Sequence, residues 1–193
     1  MVVNRLQLTI ALDQNFNEKE LRKIAESLGG AFELKDRVYM LKSSEESPPT
    51  AVFALGQVTK DNLPYILGII KSEYWKKAKK EIAQTLGKRR KDEDPLISFE
   101  CSFDTLKANI RCRSSDRKVI ETAFERLDLA LESLWALIQK KDLPSTKAQV
   151  YLGFHEPTKI FRIDRLVVLG REFAEYEYDE KKQKWSQIAP GKT

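Results

Sequence analysis

In the segment ISFECSFDTLKANIRC, Ile97–Cys112, the apolar residues fall on odd numbers up to Phe103 and on even numbers from Leu106. Alternation at period two marks a strand with one buried face. A two-residue turn at Asp104-Thr105 places Phe103 opposite Leu106, Cys101 opposite Ala108, Phe99 opposite Ile110 and Ile97 opposite Cys112. Both strands then present their apolar set to one side, so pattern and register agree on a β-hairpin.

Ser114, Ser115 and Asp116 follow, side chains suited to capping a helix start. From there Ile120, Phe124, Leu127, Leu131, Leu134 and Ile138 recur at steps of four and three. This predicts one long helix over 116–141, laid on the hairpin or, alternatively, paired with a copy of itself.

Working back, Val2 to Leu12 reads as a strand with Leu6, Leu8, Ile10 and Leu12 on one face. A short helix over 18–28 has a well-formed start, with Asn17 capping, Glu20 reaching back and Phe16 packing on Leu21. Phe32 to Leu41 reads as a hairpin or one bent strand, and Ala51 to Val58 as another strand. A second long helix is expected over 62–86, with Ile66, Ile70, Tyr74, Ala78, Ile82 and Leu86 stepping by four and Gly87 as its stop. The charged run 88–95 is the natural linker between an N-terminal half, 1–87, and a second unit, 96–189; the two halves can also form one compact domain. Beyond the central helix, Ala148 to Phe154, Ile160 to Leu169, Ala174 to Tyr178 and Lys184 to Ile188 read as an antiparallel meander. The expected fold is therefore α+β: a mostly antiparallel sheet with two long helices and one short one packed on it.

With 193 residues, 41% hydrophobic and 33% charged, the chain is long enough to bury a core without a disulfide or metal staple. No apolar run reaches the roughly 20 residues that cross a bilayer, and the N-terminus lacks the signature of a signal peptide. Two cysteines on a predicted buried face point to packed thiols and a reducing, cytoplasmic setting.

Motifs for chemistry are sparse. Gly87-Lys88 lacks the other residues of a P-loop, and no Gly-x-Gly-x-x-Gly occurs. The single histidine, His155, has no second ligand at metal-binding spacing, and a nucleophile pair with Cys101 or Cys112 would require a thiol that faces the core. The sequence thus nominates no catalytic, metal-binding or cofactor-binding residue. An enzyme would need a pocket converging on His155, or on carboxylates such as Glu121 and Glu125.

One charge feature stands out. Lys71, Lys76, Lys77, Lys79, Lys80, Lys88, Arg89, Arg90 and Lys91 face only Glu73 and Glu81 within residues 71–91, a net +7, while the remainder of the chain is −2. Tyr74 and Trp75 lie inside this run. Basic residues interleaved with aromatics can track phosphates and stack on bases, or lie on anionic lipid. The expected function is a non-enzymatic interaction or assembly subunit of a cytosolic complex, with a protein partner or self-association. The alternative is a nucleic-acid-binding accessory protein using residues 71–91 with Trp75, and a small enzyme with a site hidden in sequence is the third.

Overall fold

The computed structural model describes residues 6–13, 15–34, 39–41, 48–87, 94–104, 106–139, 148–168, 174–179 and 184–188. Ten strands and five helices follow in the order β1 (Gln7–Asp13), α1 (Glu18–Gly29), β2 (Glu33–Leu34), β3 (Tyr39–Leu41), β4 (Thr50–Gln57), α2 (Leu63–Ile70), α3 (Glu73–Leu86), β5 (Leu96–Phe103), β6 (Leu106–Arg113), α4 (Arg117–Glu125), α5 (Leu127–Gln139), β7 (Ala148–His155), β8 (Ile160–Val168), β9 (Ala174–Asp179) and β10 (Lys184–Ile188). The strands form one sheet in the order β10-β9-β8-β7-β6-β5-β4-β1-β2, with β3 also beside β1.

The β5–β6 hairpin has the register that the alternation demands: Phe103 opposite Leu106, Phe99 opposite Ile110 and Ile97 opposite Cys112. Asp104 makes the turn with φ 43°, a left-handed conformation that aspartate tolerates better than most residues. The capping box of α1 also forms, Asn17 Oδ1 accepting from the Glu20 amide and the Glu20 carboxylate from the Asn17 amide.

Two expectations are corrected. The sheet is mixed rather than mostly antiparallel: β4 runs parallel to β5, β6 parallel to β7, and both β2 and β3 parallel to β1. The helical connections between β4 and β5, and between β6 and β7, carry the chain back to the starting end of the sheet, and a return of that length makes neighbours parallel. Strands β2 and β3 therefore do not form a hairpin with each other. The C-terminal strands β7 to β10 do form an antiparallel meander.

The second correction is that the described residues form five helices, because each expected long helix is broken. Ser72 interrupts the first with extended backbone, its hydroxyl donating to the Ile69 carbonyl at 2.6 Å and accepting from the Trp75 amide at 3.3 Å. A serine that bonds its own neighbourhood caps a new helix in preference to continuing the old one. Arg126 breaks the second, its amide shared between the Thr122 and Ala123 carbonyls. The stripe from Ile120 to Leu134 continues through the break at Arg126, which is not one of its members. The first stripe is re-phased at Ser72: Tyr74, expected on it, is 63% exposed, and Trp75 is buried instead.

The helices cover a single face of the sheet. Leu8, Ile10 and Leu12 of β1, Phe53 of β4, Phe99 of β5, Ile110 of β6 and Val150 of β7 meet Ile24, Ile66, Trp75, Ile82, Phe124 and Leu131 in one continuous core. At its centre Phe53, Phe99, Phe124 and Trp75 make stacked, edge-on and tilted ring contacts, with centroids 5.5–6.4 Å apart. Ile120, Phe124, Leu127, Leu131 and Leu134 are all spent in this core, so that stripe faces its own sheet. Gly87 ends α3 with φ −81°, which any residue can adopt. It is needed for space: a Cβ there would lie 2.7 Å from the Ala83 carbonyl oxygen and 2.6 Å from Arg117 Cγ.

Candidate functional site

The basic segment is divided by the fold. Lys71 lies 3.7 Å from Asp128 and 3.4 Å from Glu132 of α5. Lys79 is buried and paired with Glu125 of α4. Lys76 pairs with Glu73 one turn away, and that hydrogen bond and charge hold the Glu73 carboxyl below the ordinary carboxylate range. Lys77 and Lys80 are exposed. Lys88, Arg89, Arg90 and Lys91 lie outside the described residues. Trp75 is 1% exposed and its indole Nε1 donates to the Phe124 carbonyl, which closes that ring to any base.

His155 ends β7 and shares a 2.8 Å hydrogen bond with the Thr158 hydroxyl in the β7–β8 turn. The hollow beside it, about 370 Å³, is lined by Lys118, Val119, Thr122, Phe154, Glu156, Pro157 and Lys159, without His155, Glu121 or Glu125. Its described lining has one carboxylate, Glu156, two lysines, and no thiol or imidazole. Among the described residues no three His, Cys, Asp or Glu side chains are grouped to hold a metal, and no helix is long and apolar enough to cross a membrane.

The arrangement with most chemistry is on the other side of the sheet, the face away from the helices. Because neighbours in register share a face, three rows can be read across strands β4 to β8. One runs Val52, Ser98, Arg111, Gly153, Arg162; the next runs Ala54, Glu100, Asn109, Tyr151, Arg165; the third runs Gln57, Ser102, Lys107, Gln149, Val167. Counting Arg113 at the end of β6, the described residues of this face on β5 to β8 carry five cations, against the carboxylates of Glu100 and Asp164.

These side chains are organised in detail. Arg111 and Arg165, from the strands on either side of β7, both lie over the Tyr151 ring, 4.4 and 5.0 Å from its centroid. Both distances are within cation–π range. Arg111 Nε donates to Asn109 Oδ1 at 2.8 Å, and the same oxygen accepts from the Ser98 hydroxyl at 2.8 Å. The Asn109 amide in turn donates to Glu100 Oε1 at 3.1 Å. Ser98 and Asn109 are buried although they point away from the helices, and their bonding satisfies them there. Arg111 is thus held at Nε and over one face of its guanidinium. Among the described residues neither Arg111 nor Lys107 has a carboxylate within ion-pair distance.

Gly153 completes the arrangement by what it lacks. The Asp164 carboxylate occupies the place of a Cβ, which would stand 2.4 Å from Asp164 Oδ2. Asp164 is the extra residue where the β7–β8 register shifts; it shares this face with Arg162 by alternation, and the bulge turns Arg165 onto the face as well. Burial pushes its carboxyl up, and the Arg111 charge partly draws it back. Beside this group a shallow hollow of about 150 Å³ has polar edges from Glu100, Ser102, Lys107, Asn109 and Gln149.

Comparison with protein families, curated proteins and solved structures finds no match for this chain. Sequence reasoning passed over this face because it followed the apolar members of each strand. The signal was present in their complements: Lys107, Asn109, Arg111 and Arg113 alternate through β6, and Gln149 and Tyr151 through β7.

Proposed function

We propose that the protein is a non-enzymatic interaction subunit that docks an acidic partner on the helix-free face of its sheet. The observation that carries this reading is the pair of guanidinium groups, Arg111 and Arg165, over one tyrosine on a face rich in cations. In the helix layer, Lys23, Lys71, Lys76 and Lys79 are each met by a carboxylate. On the sheet, Lys107 and Arg111 remain available to an external anion. Arginine suits that role, because its fork matches carboxylate and phosphate oxygens and its plane rests on an aromatic ring at small entropic cost.

A second reading keeps the basic run 71–91 as the docking surface, favoured by the exposure of Lys77 and Lys80 on α3. Immobilised heparin separates the two. The wild-type chain should be retained and should elute at higher salt than a variant carrying Arg111→Glu and Arg165→Glu. Lys77→Glu with Lys80→Glu should leave elution nearly unchanged. The reverse pattern would move the docking surface to α3, and no retention of the wild type would remove the acidic-partner reading.

A further inference from the structure

We propose that the polyanion taken up by the helix-free sheet face is single-stranded nucleic acid, its phosphates held by Arg111 and Lys107 and a base stacked on the Arg111–Tyr151–Arg165 group. This rests on the docking reading above and adds the identity of the occupant. Three observations favour nucleic acid over an acidic protein. The first is the group of two guanidinium planes lying over one aromatic ring in the middle of the cationic rows. A carboxylate-rich peptide needs only the charges, whereas a nucleobase can also stack its flat π-face on the planes of this group.

The second is the hollow beside that ring, edged by the side chains of Asn109, Gln149, Glu100 and Ser102. Asn109 is buried and already bonded to Ser98, Arg111 and Glu100, which leaves the Gln149 amide, the Ser102 hydroxyl and the Glu100 carboxylate as donors and acceptors that can read base edges once bases are unstacked. A face evolved only for negative charge would have no use for Glu100 there. The Asn109 hydrogen bond gives this carboxylate a defined position.

The third is preorganisation. Arg111 is held before any ligand arrives, by its Nε bond to Asn109 and by the Tyr151 ring, so little side-chain freedom is lost when a phosphate binds. A single strand is favoured over a duplex because paired bases are turned inward and present no face to the Arg111–Tyr151–Arg165 group.

The test measures binding of the full chain to a single-stranded oligonucleotide, its duplex, inorganic polyphosphate of matched charge, and polyglutamate. The oligonucleotide should bind most tightly, with a log–log salt slope of about −0.7 for each phosphate contacted. Tyr151→Leu should reduce oligonucleotide affinity about tenfold relative to polyphosphate affinity, and Tyr151→Phe should preserve it. Circular dichroism of both variants should match the wild type, which shows that they are folded. Equal binding of oligonucleotide and polyphosphate, tighter binding of the duplex, or a proportional loss for both ligands in Tyr151→Leu would overturn the nucleic-acid assignment while leaving polyanion docking in place. Preference for polyglutamate would assign the face to an acidic protein. Failure of all four ligands to bind would remove the docking reading itself.

Discussion

The indole Nε1 of Trp75 donates to the main-chain carbonyl of Phe124 at 3.1 Å, joining α3 to α4 across 49 residues of sequence. The same ring packs edge-on against Phe32 and Phe99, so one side chain links the helix layer to the sheet. Trp75→Ala should cost about 3–5 kcal/mol, the usual penalty for deleting a large buried aromatic. Trp75→Phe keeps most of the packing but leaves the Phe124 carbonyl without this donor, and should cost about 1–3 kcal/mol. Urea melts followed by circular dichroism measure both. The folded fraction of Trp75→Phe should elute from heparin as wild type does, because the ring is closed to ligands.

Lys79 and Glu125 make the second tie between α3 and α4, and it is asymmetric. The Lys79 side chain is 8% exposed whereas that of Glu125 is 59% exposed. Glu125→Ala therefore leaves a buried ammonium without its carboxylate and should destabilise by about 1–3 kcal/mol. Lys79→Met leaves only an exposed carboxylate and should cost clearly less. Equal losses in the two variants, measured by urea denaturation, would contradict the asymmetry of burial.

Cys101 and Cys112 line the core side of the hairpin, and burial pushes both thiols up from the ordinary 9.0 to about 12. A maleimide at pH 8 should label neither thiol in the native protein and both in urea, since the thiolate is the reactive form. The fold favours the protonated thiol, so the unfolded chain releases these protons first as pH rises. Their stabilising contribution is full below pH 9 and is lost between pH 9 and 12. Alkaline unfolding should accordingly shift to higher pH in Cys101→Ala/Cys112→Ala relative to the variant's own stability at pH 7. Rapid native labelling of either cysteine would mean that the face assignment of that strand is wrong.

Local pattern was enough to read several elements without a structure. Period-two alternation and a two-residue turn specify the β5–β6 register, since slipping by one residue would expose Phe99 and bury Arg111. Asn17 and Glu20 specify the start of α1 because a capping box spans only four residues. The apolar stripe from Ile120 to Leu134 specifies which side of those helices is buried.

Other features depend on contacts between segments far apart. Periodicity says which face a strand presents but is silent on which strand lies beside it or in which direction, so the parallel pairs β4/β5 and β6/β7 emerged only when the helical crossovers were placed. The helix break at Arg126 was hidden for a related reason, as a stripe can continue through a residue that is not part of it, while the break at Ser72 re-phases the helix and exchanges Tyr74 for Trp75 on the buried side. Trp75 looks like a companion of the lysines around it until Phe32, Phe99 and Phe124 enclose it.

The candidate site shows the same division most clearly. Arg111 and Tyr151 alternate with apolar neighbours, so the sequence by itself determines that they point away from the core, whereas Arg165 shares the parity of Phe161 and Ile163 and reaches this face only through the bulge in β8. Their meeting was decided by tertiary structure alone: β6, β7 and β8 had to become neighbours, in a register that sets Asn109 opposite Tyr151 and Tyr151 opposite Arg165. The side-chain period is a property of one strand and survives in isolation. A cation–π group assembled from three strands is a property of their hydrogen-bonded order, which the helical crossover between β6 and β7 and the turn between β7 and β8 establish.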